Sequence, residues 1–160
     1  MNFSLDELDL LFGHADKYAS KTSTDDETKV GAIAVSKKEL DLLRKTKLLP
    51  DSILCSANTF TEGAHDIGLP RVRPGKHDYI VHAETNLVFK AARKGVPLEG
   101  NIVLCTLSPC HNCLRSLWQS GVREVYFRDI YKNYNGHMDD ILIHEEKLGD
   151  YTRLILSPRG

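Results

Sequence analysis

Apolar residues recur along this chain in two rhythms. Near the start, Leu5, Leu8, Leu11, Phe12 and Ala15 fall at helical intervals, and Ser4 and Glu7 have the spacing of a capping box, so a helix is expected there. "KVGAIAV" (29–35) is short, apolar and rich in β-branched residues, which predicts a buried strand. "DSILCSAN" (51–58) predicts a second strand paired with the first. Between them, "SKKELDLLRKTKLL" (36–49) mixes charges and leucines, and predicts a helical insertion at about 37–49. "NIVLCTL", "VREVYF" and "YTRLILS" predict three more strands, five in all.

Helical patterns alternate with these strands. One helix opens near His82 or Ala83 and buries Leu87, Val88, Ala91 and Ala92. Lys90, Arg93 and Lys94 suit the negative end of its dipole, and Gly95 and Pro97 stop it. Pro109 suits the first turn of the next helix, through "CHNCLRSLWQS" and ending at Gly121. "HMDDILIHEEKL" (137–148) reads as a further helix. Residues 59–76, with three glycines and two prolines, form a long irregular stretch of the kind that lines sites. Alternating strands and helices predict an α/β domain with helices on both sheet faces.

Composition narrows the function. At 160 residues the chain fits one domain, 1–160, with a core that needs no disulfides. A formal net charge of −1 provides no global basic field for a nucleic-acid backbone. No apolar run is long enough to span a membrane, and the acidic start lacks the layout of a signal peptide, so the expected location is the cytoplasm. Four cysteines in that setting read as reduced thiols or metal ligands.

Two fragments carry chemistry. "HAETN" (82–86) places His82 two residues before Glu84 at a helix start, and "SPCHNC" (108–113) places Cys110 and Cys113 three apart at another. Two side chains at i and i+3 share a helix face, and the positive helix start favours thiolates. Two thiolates and an imidazole suit Zn²⁺. A structural zinc takes four protein ligands, whereas a catalytic one leaves a place for water, whose pKa falls to about 7. Glu84 beside that water could carry its proton. A C-x-x-C pair also fits a redox module, although that leaves His82 and Glu84 unexplained. A structural zinc could recruit Cys105 or His111, but Cys105 and Cys55 sit in apolar strands and read as small buried hydrophobes.

The order His-Ala-Glu, then Pro-Cys-x-x-Cys, resembles the signature of the zinc nucleobase deaminases. "ANTFTEG" (57–63), "RPGKHDYIVHAETN" (73–86) and "GVREVYF" (121–127) resemble the deoxycytidylate (dCMP) deaminases more closely. The resemblance implies a three-layer α/β/α cytidine deaminase-like fold with a mixed five-stranded sheet, often assembled as dimers or hexamers. It implies zinc on His82, Cys110 and Cys113, and Glu84 moving protons as water attacks C4 of cytosine, giving dUMP for thymidylate synthesis. The Ala83 and Cys110 backbone N–H groups would steady developing charge. Asn58 would contact the sugar, Asn86 would lie near the motif or the phosphate, and Ser108 would line the substrate site.

Arg73 or Lys76 would face the 5′-phosphate, with Arg71 as a further candidate. The chain departs from the family at Thr61, where a proline is usual, and at "CSANTF" (55–60), where many members have the Gly-Tyr-Asn-Gly stretch tied to nucleotide regulation. Regulation by dCTP and dTTP is therefore not carried over. A zinc-type dCTP deaminase is the nearest alternative. A tRNA adenosine deaminase is disfavoured by the balanced charge. A non-catalytic regulator on the same fold would have no use for Glu84. The partners implied are a nucleotide substrate and further copies of the chain, with no nucleic acid and no membrane. A phage-encoded chain would work in the host cytoplasm.

Overall fold

A computed structural model describes residues 3–64 and 67–159. One mixed sheet carries six strands: β1 (Gly31–Val35), β2 (Leu54–Ala57), β3 (Ile102–Leu107), β4 (Glu124–Asp129), β5 (Ile141–Leu148) and β6 (Tyr151–Pro158), in the order β2-β1-β3-β4-β6-β5. Only β3 and β4 run parallel; the other pairings are antiparallel.

The sixth strand corrects the expectation of five. Residues 137–148, read as helix, supply β5, which pairs with β6 from Leu148↔Tyr151 outward. The two residues between them, Gly149 and Asp150, make a tight hairpin, with Gly149 in the left-handed region at φ 62°. As an edge strand, β5 can leave His144, Glu145 and Lys147 exposed, and those charges discourage pairing with another chain.

Helix α1 (Leu5–Thr22) starts at the Ser4–Glu7 capping box, with both reciprocal bonds formed at 2.8 and 3.1 Å. The insertion is helix α2 (Lys37–Thr46), opened by a second capping box, Ser36 with Glu39. Both helices cover one sheet face, where Leu8, Leu11, Phe12, Leu40 and Leu43 pack on Ile33, Val35, Leu104 and Tyr126. On the other face, α3 (Ala83–Lys94) and α4 (His111–Gln119) pack Leu87, Ala91, Leu114 and Leu117 on Ala32, Ala34, Val103, Val125 and Phe127. Each central strand alternates between two covered faces, which is why it reads as an unbroken apolar run.

Gly31 shows how closely the layers approach. A Cβ there would lie 2.4 Å from the Ala15 carbonyl oxygen of α1. The 59–76 stretch meets the sheet through the isolated bridge Thr59↔Val81 and then a short 3₁₀ turn, Gly75–Asp78. No helix among the described residues is long and apolar enough to cross a membrane.

Candidate active site

The parallel pair β3 and β4 creates the crevice. Ligands in α/β sheets sit beyond the carboxyl ends of such strands. There, Ser108 and Cys110 follow β3, and Tyr131 follows β4. The start of α3 is brought to the same place. Thr59 and Val81 exchange backbone bonds of 3.1 and 2.7 Å just before His82. Ser56 Oγ donates to the Ala83 carbonyl at 2.6 Å, fixing the first turn of α3 to β2.

His82 is the N-cap of α3 and Cys110 the N-cap of α4; neither side chain caps its helix. As the spacing implies, the cysteines sit at a helix start: Cys110 is the cap residue and Cys113 lies in the first turn. Freed from capping, the side chains converge. His82 Nδ1 lies 3.4 Å from Cys113 Sγ and 3.7 Å from Cys110 Sγ. All three donor atoms lie within 4.8 Å of one another, and no fourth His, Cys, Asp or Glu joins the group among the described residues. Cys105 and His111 are outside it, which leaves the four-ligand alternative without a fourth donor.

The donors suit a soft divalent cation electrostatically as well. The Cys110 thiol is pulled down to about 4 by the hydrogen bond from Cys113, against the opposing effect of burial. Cys113 is pushed up because one of two adjacent thiols must hold the shared proton. A cation between them would reverse that preference and favour both thiolates. Three donors of this kind fit zinc with one coordination place left for water.

Glu84, one position into α3, is only 4% exposed, and burial raises its pKa above the usual carboxylate value. Cys105, fully buried in β3, is held well above its usual value by burial and by Glu84 beside it. Its thiol stays neutral, as the apolar reading of its strand implied. Around Glu84 opens a cavity of about 330 Å³, within the usual range for small-molecule sites. His82, Ala83, Glu84 and Cys110 line it, together with Asp25, Arg73, Lys76 and His77.

The family model for the cytidine and deoxycytidylate deaminase zinc-binding region matches residues 6–129. The chain belongs to this family. The deoxycytidylate deaminase of Enterobacteria phage T4 is 39% identical over 62 residues, 39% of this chain and 32% of that protein. A probable deoxycytidylate deaminase of Caenorhabditis elegans is 32% identical over 145 residues, 86% of this chain and 62% of that protein. The chain thus spans about a third of the length of the phage relative it matches. Among solved structures, the dCMP deaminase of cyanophage S-TIM5 in complex with dCMP and dUMP superposes with a TM-score of 0.62 at 27% identity, over 82% of this chain and 88% of that one.

The remaining sequence-derived residues of this deaminase-family site divide into two groups. Ala83, Ser108 and Arg73 line the cavity, and Ser108 Oγ accepts a hydrogen bond of 2.8 Å from the Tyr131 N–H. Asn58 also lines it, but its amide is occupied by the framework. Its Oδ1 accepts from Val30 N–H at 2.9 Å and Ser23 Oγ at 2.6 Å, and its Nδ2 donates to the Thr28 carbonyl at 2.8 Å. Asn86 is not among the residues that line the cavity; it ties α3 to the Ala57 carbonyl at 2.8 Å and Thr59 Oγ1 at 3.0 Å.

Lys76 was expected to face a phosphate. It lies on the cavity wall only 2% exposed, with its ammonium 2.9 Å from each Asp25 carboxylate oxygen and 3.2 Å from Glu27. Its charge is committed to protein carboxylates. Arg71 lies over the Phe60 ring, 5.4 Å from its centre. Asp25, Thr28 and Tyr131 also line the cavity and are not anticipated by the sequence reading. Tyr131 could have been found from its place just beyond a strand's carboxyl end. Asp25 could have been suspected from "DDET", since Asp25 Oδ1 accepts from the Glu27 and Thr28 N–H groups at 2.8 and 3.0 Å, a local turn.

Proposed function

We propose that this chain catalyses the hydrolytic deamination of dCMP to dUMP and ammonia, with zinc held by His82, Cys110 and Cys113. The observation that carries the reading is a buried carboxylate, Glu84, beside a three-donor cluster in a cavity that is also lined by a cationic residue, Arg73. The similarity to proteins named deoxycytidylate deaminase supports the choice of substrate.

Zinc, when bound, supplies the Lewis acidity that makes a water nucleophilic near neutral pH. The protein's groups do the rest. Glu84 takes a proton from the attacking water and gives it to N3 of the cytosine. It carries a second proton to the amino group, which leaves C4 as ammonia, while the carbonyl of uracil forms. A carboxylate that both accepts and donates works best with a raised pKa, and burial of Glu84 acts in that direction. The Ala83 N–H, at the first position of α3, has no acceptor within its helix and can donate to the ring's developing negative charge, as can the Cys110 N–H. Arg73 takes the 5′-phosphate, Ser108 borders the base, and Asn58 and Asn86 keep the walls in place.

Further copies of the chain, as a dimer or hexamer, belong to the same reading. Exposed Phe89 of α3 and Val96 just beyond its end, at 57% and 41%, give this side of the molecule exposed apolar groups that support it. A cytoplasmic location, in a host cell if the chain is phage-encoded, is supported by four unpaired cysteines.

The test is a substrate panel. The purified zinc-loaded protein is assayed for ammonia release from dCMP, dCTP, deoxycytidine and an adenosine-containing RNA hairpin. The reading requires dCMP to have the highest kcat/KM. Preference for dCTP would keep the chemistry and change the substrate, and activity on the hairpin alone would overturn the reading.

A further inference from the structure

Arg73 and His82 both line the cavity, and the segment between them has little apolar packing to hold it. Of residues 71–79 only Lys76 is buried, and the only regular element is one 3₁₀ turn. Apolar packing therefore cannot fix where Arg73 stands relative to Glu84. In its place is a buried ion pair. Resting on the nucleotide reading above, we infer that the Asp25–Lys76 pair is a positioning device for substrate recognition, holding Arg73 in a fixed place on the cavity that Glu84 also lines.

The geometry is restrictive. Lys76 Nζ meets both Asp25 oxygens at 2.9 Å and Glu27 Oε1 at 3.2 Å, so three oxygens fix one ammonium. The same turn holds Arg73 directly. The Arg73 N–H donates to Glu27 Oε1 at 2.6 Å, and its guanidinium donates to Thr28 Oγ1 at 3.3 Å. The turn is in turn fixed to the sheet. Asn58, at the end of β2, bonds both the Thr28 carbonyl and the Val30 N–H. The neighbouring Ser56 of β2 holds the start of α3, which carries Glu84. The route from Arg73 to Glu84 thus runs through short polar contacts on rigid elements.

Stability alone is a poor reason for this pair. Apolar residues of similar volume in place of a buried ion pair are usually neutral or stabilising, because desolvating two charges offsets their attraction. A directional contact that fixes one geometry is the better-attested use of such pairs. Lys76 contacts carboxylates here rather than substrate, so its role is in alignment.

The experiment uses the full zinc-loaded chain with Asp25→Asn and Lys76→Met combined, which leaves no lone buried charge. Steady-state kinetics on dCMP and deoxycytidine are measured beside zinc content, Tm and hydrogen exchange over residues 71–81. KM for dCMP should rise by about tenfold or more with kcat within about threefold, the pattern of lost substrate binding. KM for deoxycytidine should stay within about threefold, and exchange over 71–81 should quicken. A folded double variant with the wild-type KM for dCMP, or with equal losses on both substrates, overturns the inference. Should that variant fail to fold, Asp25→Glu keeps both charges but lengthens the tether by one methylene. It should raise KM for dCMP by more than about threefold with little change in Tm, and an unchanged KM overturns the inference. Failure of the nucleotide reading would look different: the wild type would show no preference for dCMP over deoxycytidine. In that case unchanged exchange over 71–81 would remove the positioning role as well.

Discussion

Replacing Arg73 by alanine tests the assignment of the 5′-phosphate to that residue. The substitution removes the guanidinium but keeps the backbone N–H that donates to Glu27, and leaves the Asp25–Lys76 pair that holds the loop untouched. It also removes one side-chain bond, the 3.3 Å contact with Thr28 Oγ1, at the long end of the hydrogen-bond range. Lys76 cannot replace the lost charge, because Asp25 and Glu27 already hold its ammonium. A hydrogen bond between charged partners contributes roughly 1.5–3 kcal/mol. Arg73 is exposed, so solvent screening favours the lower half of that range. At about 1.4 kcal/mol per factor of ten, kcat/KM for dCMP should fall by about 10- to 50-fold. Deoxycytidine has no phosphate to lose, so its slower reaction should change by less than about threefold. The assay is initial-rate ammonia release with each substrate at matched zinc content. Equal losses on both substrates, or a dCMP rate within about twofold of wild type, would refute the assignment of Arg73.

Cys110→Ala and Cys113→Ala should each lose the single zinc expected per chain, measured by elemental analysis, and should lower Tm because metal binding contributes to folding free energy; full zinc in either variant would remove that ligand from the set. Gly31→Ala drives a methyl group to 2.4 Å from the Ala15 carbonyl oxygen, a backbone atom that cannot swing aside. Overpacking of this kind costs about 1–3 kcal/mol, or a fall in Tm of roughly 3–10 °C, and an unchanged melting curve would contradict the close approach of α1 to β1. Glu7 is held below its ordinary value of 4.5 chiefly by the Arg44 hydrogen bond, so its contribution to stability is full above about pH 4.5 and is lost as pH falls through the lower folded value. Arg44→Met should therefore lower Tm by about 1–4 °C near neutral pH, with the gap closing as pH falls below the ordinary carboxylate value, and a gap that persists at acid pH would show that the pair is not its source.

The legibility of this chain follows the range of the forces involved. The capping box at Ser4 and Glu7, the buried strands and the end of α3 at Gly95 are local, and the sequence states them directly. His82, Glu84, Cys110 and Cys113 were readable because their spacing fixes their place at two helix starts. The 137–148 segment was misread because the charges of "HEEK" suit a helix in isolation. Its strand form depends on β6, reached through a Gly-Asp hairpin that was the available signal. Lys76 looked like a phosphate ligand because its pairing with Asp25 spans 51 positions, which spacing alone cannot reveal. The contacts of Asn58 and Asn86 are hidden in the same way. Asn58 bonds the Val30 N–H and the Thr28 carbonyl, and Asn86 donates to the Ala57 carbonyl and Thr59 Oγ1, groups 27 to 30 positions away that only the folded chain brings together.

The central claim is that Glu84, next to the His82–Cys110–Cys113 cluster, moves the protons of a dCMP deamination. The most direct measurement follows dCMP, dUMP and ammonia together for the wild type and for Glu84→Gln, with zinc quantified in both. The account predicts one dUMP and one ammonia per dCMP consumed by the wild type. It predicts a loss of about 10⁴-fold or more in kcat for Glu84→Gln at unchanged zinc content, the upper end for a general acid–base group, because one residue serves more than one transfer. A wild type that forms no dUMP, or a zinc-loaded Glu84→Gln protein within about tenfold of wild type, would contradict it.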